Sequence, residues 1–472
     1  MKKISLLLLL IFITSCHQGQ KSFSEEAILI SDITLIDLRS GELKAGLNVV
    51  VDSGRIKSIS SEAIDKKSFK TNIEGKNHYI IPGLTEMHAH IPPPTTSTER
   101  IEETLFLYLS NGITTIRGML GHPEHLELRE AALNGDLISP RIFTSSPSLN
   151  GNTVRSEQEA REKVSTYQKE GYDFLKIHPG IQRNVFDELV KTARETGIRF
   201  SGHVPVQVGI VHALNSEYAS IDHIDGFLEG LVPDSEKVNP EENGFFGYNF
   251  TPLADKANIT DLTQLAKENK VWIVPTQSLF ERWFAPVKAD VLLAEPEMRY
   301  MPKSTLEEWK SRKLASTGPS SGFNEAQWNV FIDLRRELLK SLQENGHGIL
   351  LGSDAPQLFN VPGFSIHHEI NGMQKAGLSQ LQIIQAGTIA PALFFQKQDE
   401  FGELKEGLSA DLILLEANPL EDLDALKNPK GVMYRGHWLS RKDIAQKLEE
   451  IDASDKYILP GFWDNHVHFR GG

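Results

Sequence analysis

Short apolar runs alternate with helical stretches from about residue 79 onward, and this rhythm is what most constrains the fold of the chain. Such alternation indicates βα units and a parallel sheet. Eight runs qualify as strands, which predicts an α/β fold with a closed (β/α)8 TIM-type barrel. The eight candidates are residues 79–81 continuing to 90, 113–117, 141–144, 174–177, 198–203, 220–224, 271–276 and 348–354.

The two flanks of the predicted barrel have a different pattern. Residues 27–60 alternate apolar and polar side chains and contain a hairpin turn at residues 52–54, and a similar β pattern returns after residue 400. We therefore expect residues 27–78 and 400–440 to form one small β-sandwich, and residues 79–399 to form the barrel. The long stretches 231–270 and 279–345 predict inserted lid or rim segments.

The N-terminus carries a targeting pattern. Lys2 and Lys3 precede an apolar run over residues 4–13, which is too short to span a bilayer as a helix, and small residues then lead to Cys16, the only cysteine. This order resembles a bacterial lipobox, although an ordinary signal peptide is the alternative. We expect a lipoprotein signal peptide over residues 1–16, lipidation of Cys16, a tether over residues 17–26, and a location in the bacterial cell envelope.

Net charge and composition restrict the classes of partner and of metal ligand that the chain can use. With 49 basic and 63 acidic residues the formal charge is −14, which argues against binding to nucleic acid phosphates or to anionic lipid. One cysteine permits neither an internal disulfide nor a thiolate metal cluster. Sixteen histidines make imidazole the favoured metal ligand.

Ligand-type side chains stand at the ends of several predicted strands. His88 and His90 are two residues apart, so in a strand both imidazoles point to one face. His203, His223 and Asp354 each end another apolar run, at the end of the barrel where such enzymes keep their chemistry. A single residue of this kind is most often a packed core or rim group, but four strands that carry them together predict a metal site.

Lys176 ends a fifth apolar run. A lysine at the end of a buried strand is costly unless it is paired or chemically altered. One interpretation is a rim lysine that solvent reaches at the barrel mouth. The other is a carbamate, formed when CO2 adds to the neutral amine, which turns a cation into an anion able to bridge two divalent metal ions.

These motifs, in this order, resemble the metal-dependent amidohydrolase superfamily, and most closely its imidazolonepropionase-like branch, which includes bacterial Xaa-Pro dipeptidases. The similarity runs from about residue 28 to 440. The segments that carry it are Pro82-Gly83-x-x-Glu86-x-His88-x-His90, residues 111–117, 173–176, 201–205, 221–223 and 352–354, and the closing segment 402–420.

The resemblance implies a binuclear metal-dependent hydrolase of amide or peptide bonds, a dipeptidase or an N-acyl amino acid hydrolase. Two divalent ions, most often zinc, would share a hydroxide that attacks the carbonyl, and Asp354 would shuttle the proton to the leaving nitrogen. The implied ligands are His88, His90 and Asp354 for the first ion, His203 and His223 for the second, and carboxylated Lys176 between the two.

Three further side chains are candidates for substrate binding. Arg117 ends the second strand and is suited to a substrate carboxylate, although an interior ion pair is an equal alternative. His178 shares a face with Lys176. His367 lies in a segment, residues 363–369, that resembles one after the last barrel strand in this branch, and we expect it near the pocket mouth.

Two other functions remain open at this level. Hydrolysis of a cyclic amide, as in imidazolonepropionase, uses one metal ion and no lysine bridge, so Lys176 argues against it. A catalytically inactive binding lipoprotein is disfavoured because six ligand positions are intact. The expected partner is a small molecule or short peptide, with membrane contact only through the lipid anchor; a homo-oligomer is compatible with the sequence.

The sequence departs from the family pattern in two places. Glu86 stands where aspartate is usual, at a position that is normally not a ligand, and we expect little effect. Residues 457–468 repeat residues 79–90, including a second His-x-His at His466 and His468. We expect the tail, residues 441–472, to carry a truncated and inert copy of the first barrel strand.

Overall fold

The computed structural model describes residues 23–233 and 238–452, which form two sheets. One is an eight-stranded sheet made from both ends of the chain, and the other is a parallel sheet of seven strands. The strands are β1 Ile28–Asp37, β2 Glu42–Asp52, β3 Arg55–Ser60, β4 Thr71–Glu74, β5 Tyr79–Pro82, β6 Leu84–Ala89, β7 Ile113–Gly118, β8 Arg141–Leu149, β9 Phe174–Ile177, β10 Arg199–Gly202, β11 Ser220–Asp222, β12 Trp272–Val274, β13 Leu412–Leu415, β14 Gly431–Tyr434 and β15 His437–Ser440.

Helices follow most strands of the parallel sheet, as the alternation in the sequence predicts. Several begin with a side-chain cap, such as Ser97 before the first and Ser156 before the third. The helices are α1 Thr98–Ser110, α2 Pro123–Asn134, α3 Glu157–Glu170, α4 Arg183–Thr196, α5 Ile210–Asn215, α6 Ile259–Glu268, α7 Gln277–Glu281, α8 Ala289–Leu293, α9 Lys303–Thr317, α10 Glu325–Asn345, α11 Ser365–Lys375, α12 Gln380–Ala386, α13 Ile389–Phe395 and α14 Arg441–Ile451.

The parallel sheet closes into a barrel through an irregular eighth strand. Residues 348–355 run between β12 and β6, with parallel bridges from Ile349 to Ile273 and from Ala355 to Ala89. Gly352 permits this closure, because a Cβ there would lie 2.8 Å from the backbone nitrogen of His88. The predicted (β/α)8 barrel is therefore confirmed, with an eighth strand that pairs too briefly to form a regular ladder.

The first barrel strand begins at Leu84, later than the predicted start at residue 79. β5 belongs to the eight-stranded sheet, where it pairs with β1 in parallel and with β13 in antiparallel orientation. The break is at Gly83, whose nitrogen donates to the carbonyl of Asp411 while the next residue, Leu84, bonds to Gly112. The chain thus crosses from one sheet to the other at Pro82-Gly83. The prediction that the barrel begins at residue 79 is therefore wrong, because the first barrel strand is β6.

Both predicted long inserts lie over or beside the barrel. One contains the turn of 3-10 helix Phe245–Leu253, and the other contains α8, α9 and α10. At the end of the barrel where the strands begin, the ring of Phe395 from α13 stacks on Phe143 of β8 with centroids 3.7 Å apart. Both rings belong to an apolar cluster that fills this end. The chemistry is thereby restricted to the end where the strands finish.

Several expectations fall outside the described residues. They include the signal peptide with Cys16, most of the tether, and the repeated motif at residues 457–468. The first part of the predicted tail forms α14. Within residues 23–233 and 238–452, no helix combines the length and the apolar composition needed to cross a membrane.

Candidate metal centre

Six predicted ligand side chains meet at one end of the barrel. His88 is in β6, Lys176 is in β9 and Asp354 is in the irregular eighth strand, whereas the others directly follow the ends of β6, β10 and β11. All six are buried, and His203, the most accessible, exposes 7% of its surface. The remaining members of this set are His90 and His223.

The first three ligands form a tight cluster. His90 Nε2 lies 2.6 Å from Asp354 Oδ1, and His88 Nε2 lies 3.4 Å from the same oxygen. Neither ring nitrogen of His88 has a hydrogen-bond partner among the described residues, although both are buried. Burial of such nitrogens without a partner is costly. The cluster therefore fits a cation held by His88, His90 and Asp354.

Two further histidines stand beside this cluster with fixed orientations. The ring of His223 lies 4.7 Å from that of His88 and 4.6 Å from that of His203. Asp225 Oδ2 is 2.9 Å from His203 Nδ1, and Thr276 Oγ1 is 2.7 Å from His223 Nδ1. Since Nδ1 is engaged in both rings, Nε2 is the nitrogen that suits a metal ion, the usual arrangement of metal-binding histidines.

The electrostatics suit neutral ligands. Burial lowers the pKa of His88 and of His223 well below the ordinary value, with further lowering from nearby cations. Burial also lowers the pKa of Lys176, against the opposing effect of Asp222 and Asp354. Neutral imidazole is the form that binds metal, and neutral amine is the form that adds CO2, so both shifts favour the chemistry that the resemblance implies.

Asp222, which lies in segment 221–223 and has no predicted role, is buried beside the candidate ligands. Its carboxylate is completely buried and has two cations as neighbours: Oδ1 accepts from Arg117 Nη2 at 3.0 Å and Oδ2 accepts from Lys176 Nζ at 3.2 Å. Oδ2 also lies 3.4 Å from His88 Nδ1. Asp222 is thus the counter-ion below the ligand set.

Arg117 is an interior residue and does not line a pocket. Besides the bond to Asp222, its Nε donates to the carbonyl of Met87 at 2.7 Å and its Nη1 donates to Ser220 Oγ at 2.9 Å. The guanidinium spans β6, β7 and β11, and none of its surface is exposed. The proposed contact with a substrate carboxylate is therefore wrong, and the interior ion pair is the interpretation that the structure supports.

The two candidate histidines have different locations. The ring of His178 stacks on that of His203 at 5.2 Å, and its Nδ1 lies 2.7 Å from Ser148 Oγ, so it borders the ligand set. His367 is buried in α11, with Nε2 3.0 Å from Oδ1 of Asn111 at the far end of α1. Its expected position at the pocket mouth is wrong, because α11 directs this side chain against a neighbouring helix.

Glu86 links two strands behind the ligands. It accepts from the backbone nitrogen of His88 at 3.1 Å, and from the nitrogen and hydroxyl of Ser353 at 2.7 and 2.6 Å. Burial raises its pKa to about 8. Its carboxylate therefore joins β6 to the residue before Asp354 and makes no contact that marks it as a ligand.

A second group of ligand-type residues lies outside the barrel mouth. Glu295, Glu297 and His368 are close enough together to hold an ion. Glu295, however, forms a two-point ion pair with Arg282, whose Nη1 also lies 3.2 Å from His368 Nδ1. A guanidinium in the middle of the group already supplies the positive charge, so these residues do not resemble the buried set.

Known proteins share the sequence and the architecture. Residues 79–439 match the profile of the Amidohydrolase family. An ochratoxinase from Aspergillus niger is 24% identical over 452 residues, which cover 88% of this chain and 86% of that protein.

Solved structures are similar over most of the chain. A bottromycin amidohydrolase has a TM-score of 0.68 at 22% identity, with 91% of this chain and 90% of that one covered. A Xaa-Pro dipeptidase with bound methionine has a TM-score of 0.62 at 20% identity, with 88% and 100% covered. These likenesses support the barrel fold. Because the family profile spans well over half of the chain, the protein belongs to the Amidohydrolase family, as its motifs predict.

Proposed function

We propose that this amidohydrolase is a binuclear enzyme that cleaves linear amides, either short peptides or N-acyl amino acids. The observation that carries the proposal is the convergence of six buried ligand-type side chains from five strands, with Lys176 close enough to His88 and His223 to lower the pKa of both. A cyclic-amide hydrolase of the imidazolonepropionase type would need no such lysine. An inactive binding protein would need none of the six.

In this proposal each side chain has a distinct task. His88, His90 and Asp354 would hold one ion, zinc given the nitrogen-rich set, and His203 and His223 would hold the other. Lys176, carboxylated by CO2, would bind both. A pair of divalent ions, when bound, polarises the scissile carbonyl and lowers the pKa of water.

Asp354 is the proposed proton carrier. Its Oδ1 faces His88 and His90, and its Oδ2 lies 3.9 Å from His223 Nδ1 and accepts from Gln357 Nε2 at 3.2 Å. It is therefore central to the set and held from two sides. An amine leaves poorly unless it is protonated, so a carboxylate here can take a proton from water and deliver it to the leaving nitrogen.

Substrate positioning falls to groups next to the ligands. His178 borders His203, and its ring is oriented by Ser148, so we propose that it contacts the substrate, for example a free carboxylate, by a charge-assisted hydrogen bond. Arg117 is excluded from this task by its three bonds within the protein.

The test of this function is a metal count followed by an activity panel. Purified protein should contain two equivalents of metal and should hydrolyse members of a dipeptide and N-acyl amino acid panel in preference to imidazolonepropionate. Lys176→Ala should lose one equivalent of metal and most activity, and short carboxylic acids should restore part of it. The control is Lys191→Ala, which changes an exposed lysine of α4. Two retained metals at full rate in Lys176→Ala, or turnover of the cyclic amide alone, would refute the proposal.

We further propose that the enzyme is lipid-anchored outside the cytoplasm through Cys16, where short peptides from degraded protein are its natural substrates. Several acyl chains would hold it firmly, because each buried CH2 contributes about 0.8 kcal/mol. Fractionation of cells that express wild type or Cys16→Ser tests this location. Wild type should sediment with membranes and the variant should not; soluble wild-type protein contradicts the anchor.

A further inference from the structure

The segment over the histidine pair has an unusual backbone. Between Gly244 and Gly247, three of four residues have a positive φ: Gly244 at 69°, Phe246 at 49° and Gly247 at 78°. Glycine adopts this conformation readily, but a phenylalanine does so only where surrounding contacts impose it. Residues with such backbone conformations concentrate at functional sites, so the contacts of the Phe246 ring bear on function.

Hydrogen bonds and close packing hold this segment in place. Asn243 Nδ2 donates to Glu229 Oε1 at 2.7 Å, and the nitrogen of Asn249 donates to the carbonyl of Asn243 at 2.9 Å. Gln327 of α10 donates to the carbonyl of Tyr248 at 2.7 Å. The backbone at Gly247 also lies against Glu229, since a Cβ there would be 2.9 Å from Oε2. The segment is thus tied to the rim and to an inserted helix.

The ring of Phe246 lies against the metal-site histidines. Its centroid is 5.3 Å from that of His223 and 5.8 Å from that of His203. On its other sides it meets Phe280 edge-on at 5.2 Å and Phe245 at 4.8 Å. Phe245 in turn contacts Trp283 and Phe284. An aromatic layer therefore begins directly at the proposed second metal position.

We infer that Phe246 determines the specificity of the enzyme and selects amides that carry an aromatic ring next to the scissile bond; this inference rests on the proposed function. A ring bound beside the carbonyl carbon would come within the 4.5–7 Å at which aromatic pairs attract. An aliphatic group gains the apolar contact but not the ring geometry. A carboxylate in the same place would lose its hydration without a partner.

The inference predicts a change in preference and no change in metal binding. Wild type should hydrolyse Ala-Phe or Phe-Ala with a kcat/KM at least about tenfold above Ala-Ala, and should discriminate against Ala-Glu and Glu-Ala. Phe246→Ala should reduce the aromatic-to-alanine ratio by about 10- to 50-fold while both metals stay bound. Phe246→Leu, which keeps the apolar volume, should lose the aromatic preference but not the discrimination against glutamate, and it serves if the alanine variant fails to fold.

The matched control is Phe323→Ala. Phe323 belongs to the outer side of the same aromatic group, where it stacks on Tyr248 and meets Phe284. Its loss should leave the ratio unchanged. An unchanged ratio in Phe246→Ala and Phe246→Leu with intact metal content would overturn the inference but not the proposed function.

Binding separates the two hypotheses. Calorimetric titration of the metal-loaded enzyme with L-phenylalanine and L-alanine measures preference without turnover. Wild type should bind phenylalanine more tightly, and Phe246→Leu should not. If wild type hydrolyses no linear amide but shows this difference, the proposed function fails while the role of Phe246 stands; equal affinity in wild type overturns the role of Phe246.

Discussion

Replacement of Asp222 by asparagine removes a buried carboxylate that contacts both Arg117 and Lys176. At an effective dielectric constant of about 20, each ion contact near 3 Å is worth about 5 kcal/mol before desolvation is subtracted. Loss of one partner from a buried ion pair costs about 3–5 kcal/mol in practice. Asp222→Asn would remove the carboxylate that these two buried basic side chains share, so we expect a destabilisation of that size in the metal-free protein.

Arg117→Met should be milder, because it leaves the Asp222–Lys176 pair balanced. Its cost is the loss of the bonds to Met87 and Ser220, about 1–3 kcal/mol. In the double variant one cation remains instead of two, so its destabilisation should fall short of the sum of the single variants by more than 1 kcal/mol.

The assay is urea unfolding of the metal-free single and double variants, with metal content measured in parallel. Arg199→Met is the matched control: Arg199 is another barrel arginine that donates to a carbonyl, that of Phe394, and has no bond to Asp222. The destabilisations caused by Arg199→Met and Asp222→Asn should add in the double variant. The reasoning is refuted if Asp222→Asn destabilises the protein no more than Arg117→Met does, or if the effects of Asp222→Asn and Arg117→Met add within about 0.5 kcal/mol. In either case the shared carboxylate of Asp222 does not stabilise the barrel interior.

Three further outcomes are expected. Burial raises the pKa of Glu369 from 4.5 to about 7, so its contribution to stability is complete below pH 4.5 and is lost as the pH rises through about 7. Over this pH range the free energy of unfolding of the wild type should fall by about 3 kcal/mol relative to that of Glu369→Gln. Parallel curves of unfolding free energy against pH for the two proteins would contradict this. Chelation of the metals should lower the unfolding temperature, because a ligand at 100 times its Kd stabilises the fold by about 2.7 kcal/mol, and an unchanged temperature after confirmed removal would argue against the site. Asp225→Asn should weaken metal affinity about 10- to 100-fold through His203 without unfolding the protein, whereas unchanged affinity would show that this bond does not orient the ligand.

The barrel could be predicted because each of its strands leaves a local signal. Seven candidates coincide with parallel strands or, for residues 348–354, with the irregular closing strand. The error at β5 arose because residues 79–82 and 84–89 read as one apolar run. Only long-range pairing of β5 with β1 and β13 separates them, and a local pattern contains no information on such partners.

Arg117 and His367 show a different limit. Both residues lie in segments that reach the rim of the barrel. What each one contacts depends on the length and direction of its side chain. Arg117 points across the barrel interior to Ser220 and Asp222, more than a hundred positions away in sequence, and His367 points outward from α11 to Asn111. Neither direction follows from the strand or helix pattern alone.

The failure to assign Asp222 has a specific backbone cause. In a regular strand, consecutive side chains point to opposite faces, so a metal-binding His223 would place Asp222 outside the barrel. β11 ends at Asp222, however, and His223 has a φ of 64°. This left-handed residue turns the imidazole back towards the site, so both neighbours face inward. Asp354, next to the last residue of the eighth strand, has the same φ of 64°. Two ligands of the candidate centre thus depend on strained strand ends, and the cost of that strain is consistent with a site shaped for binding rather than for stability.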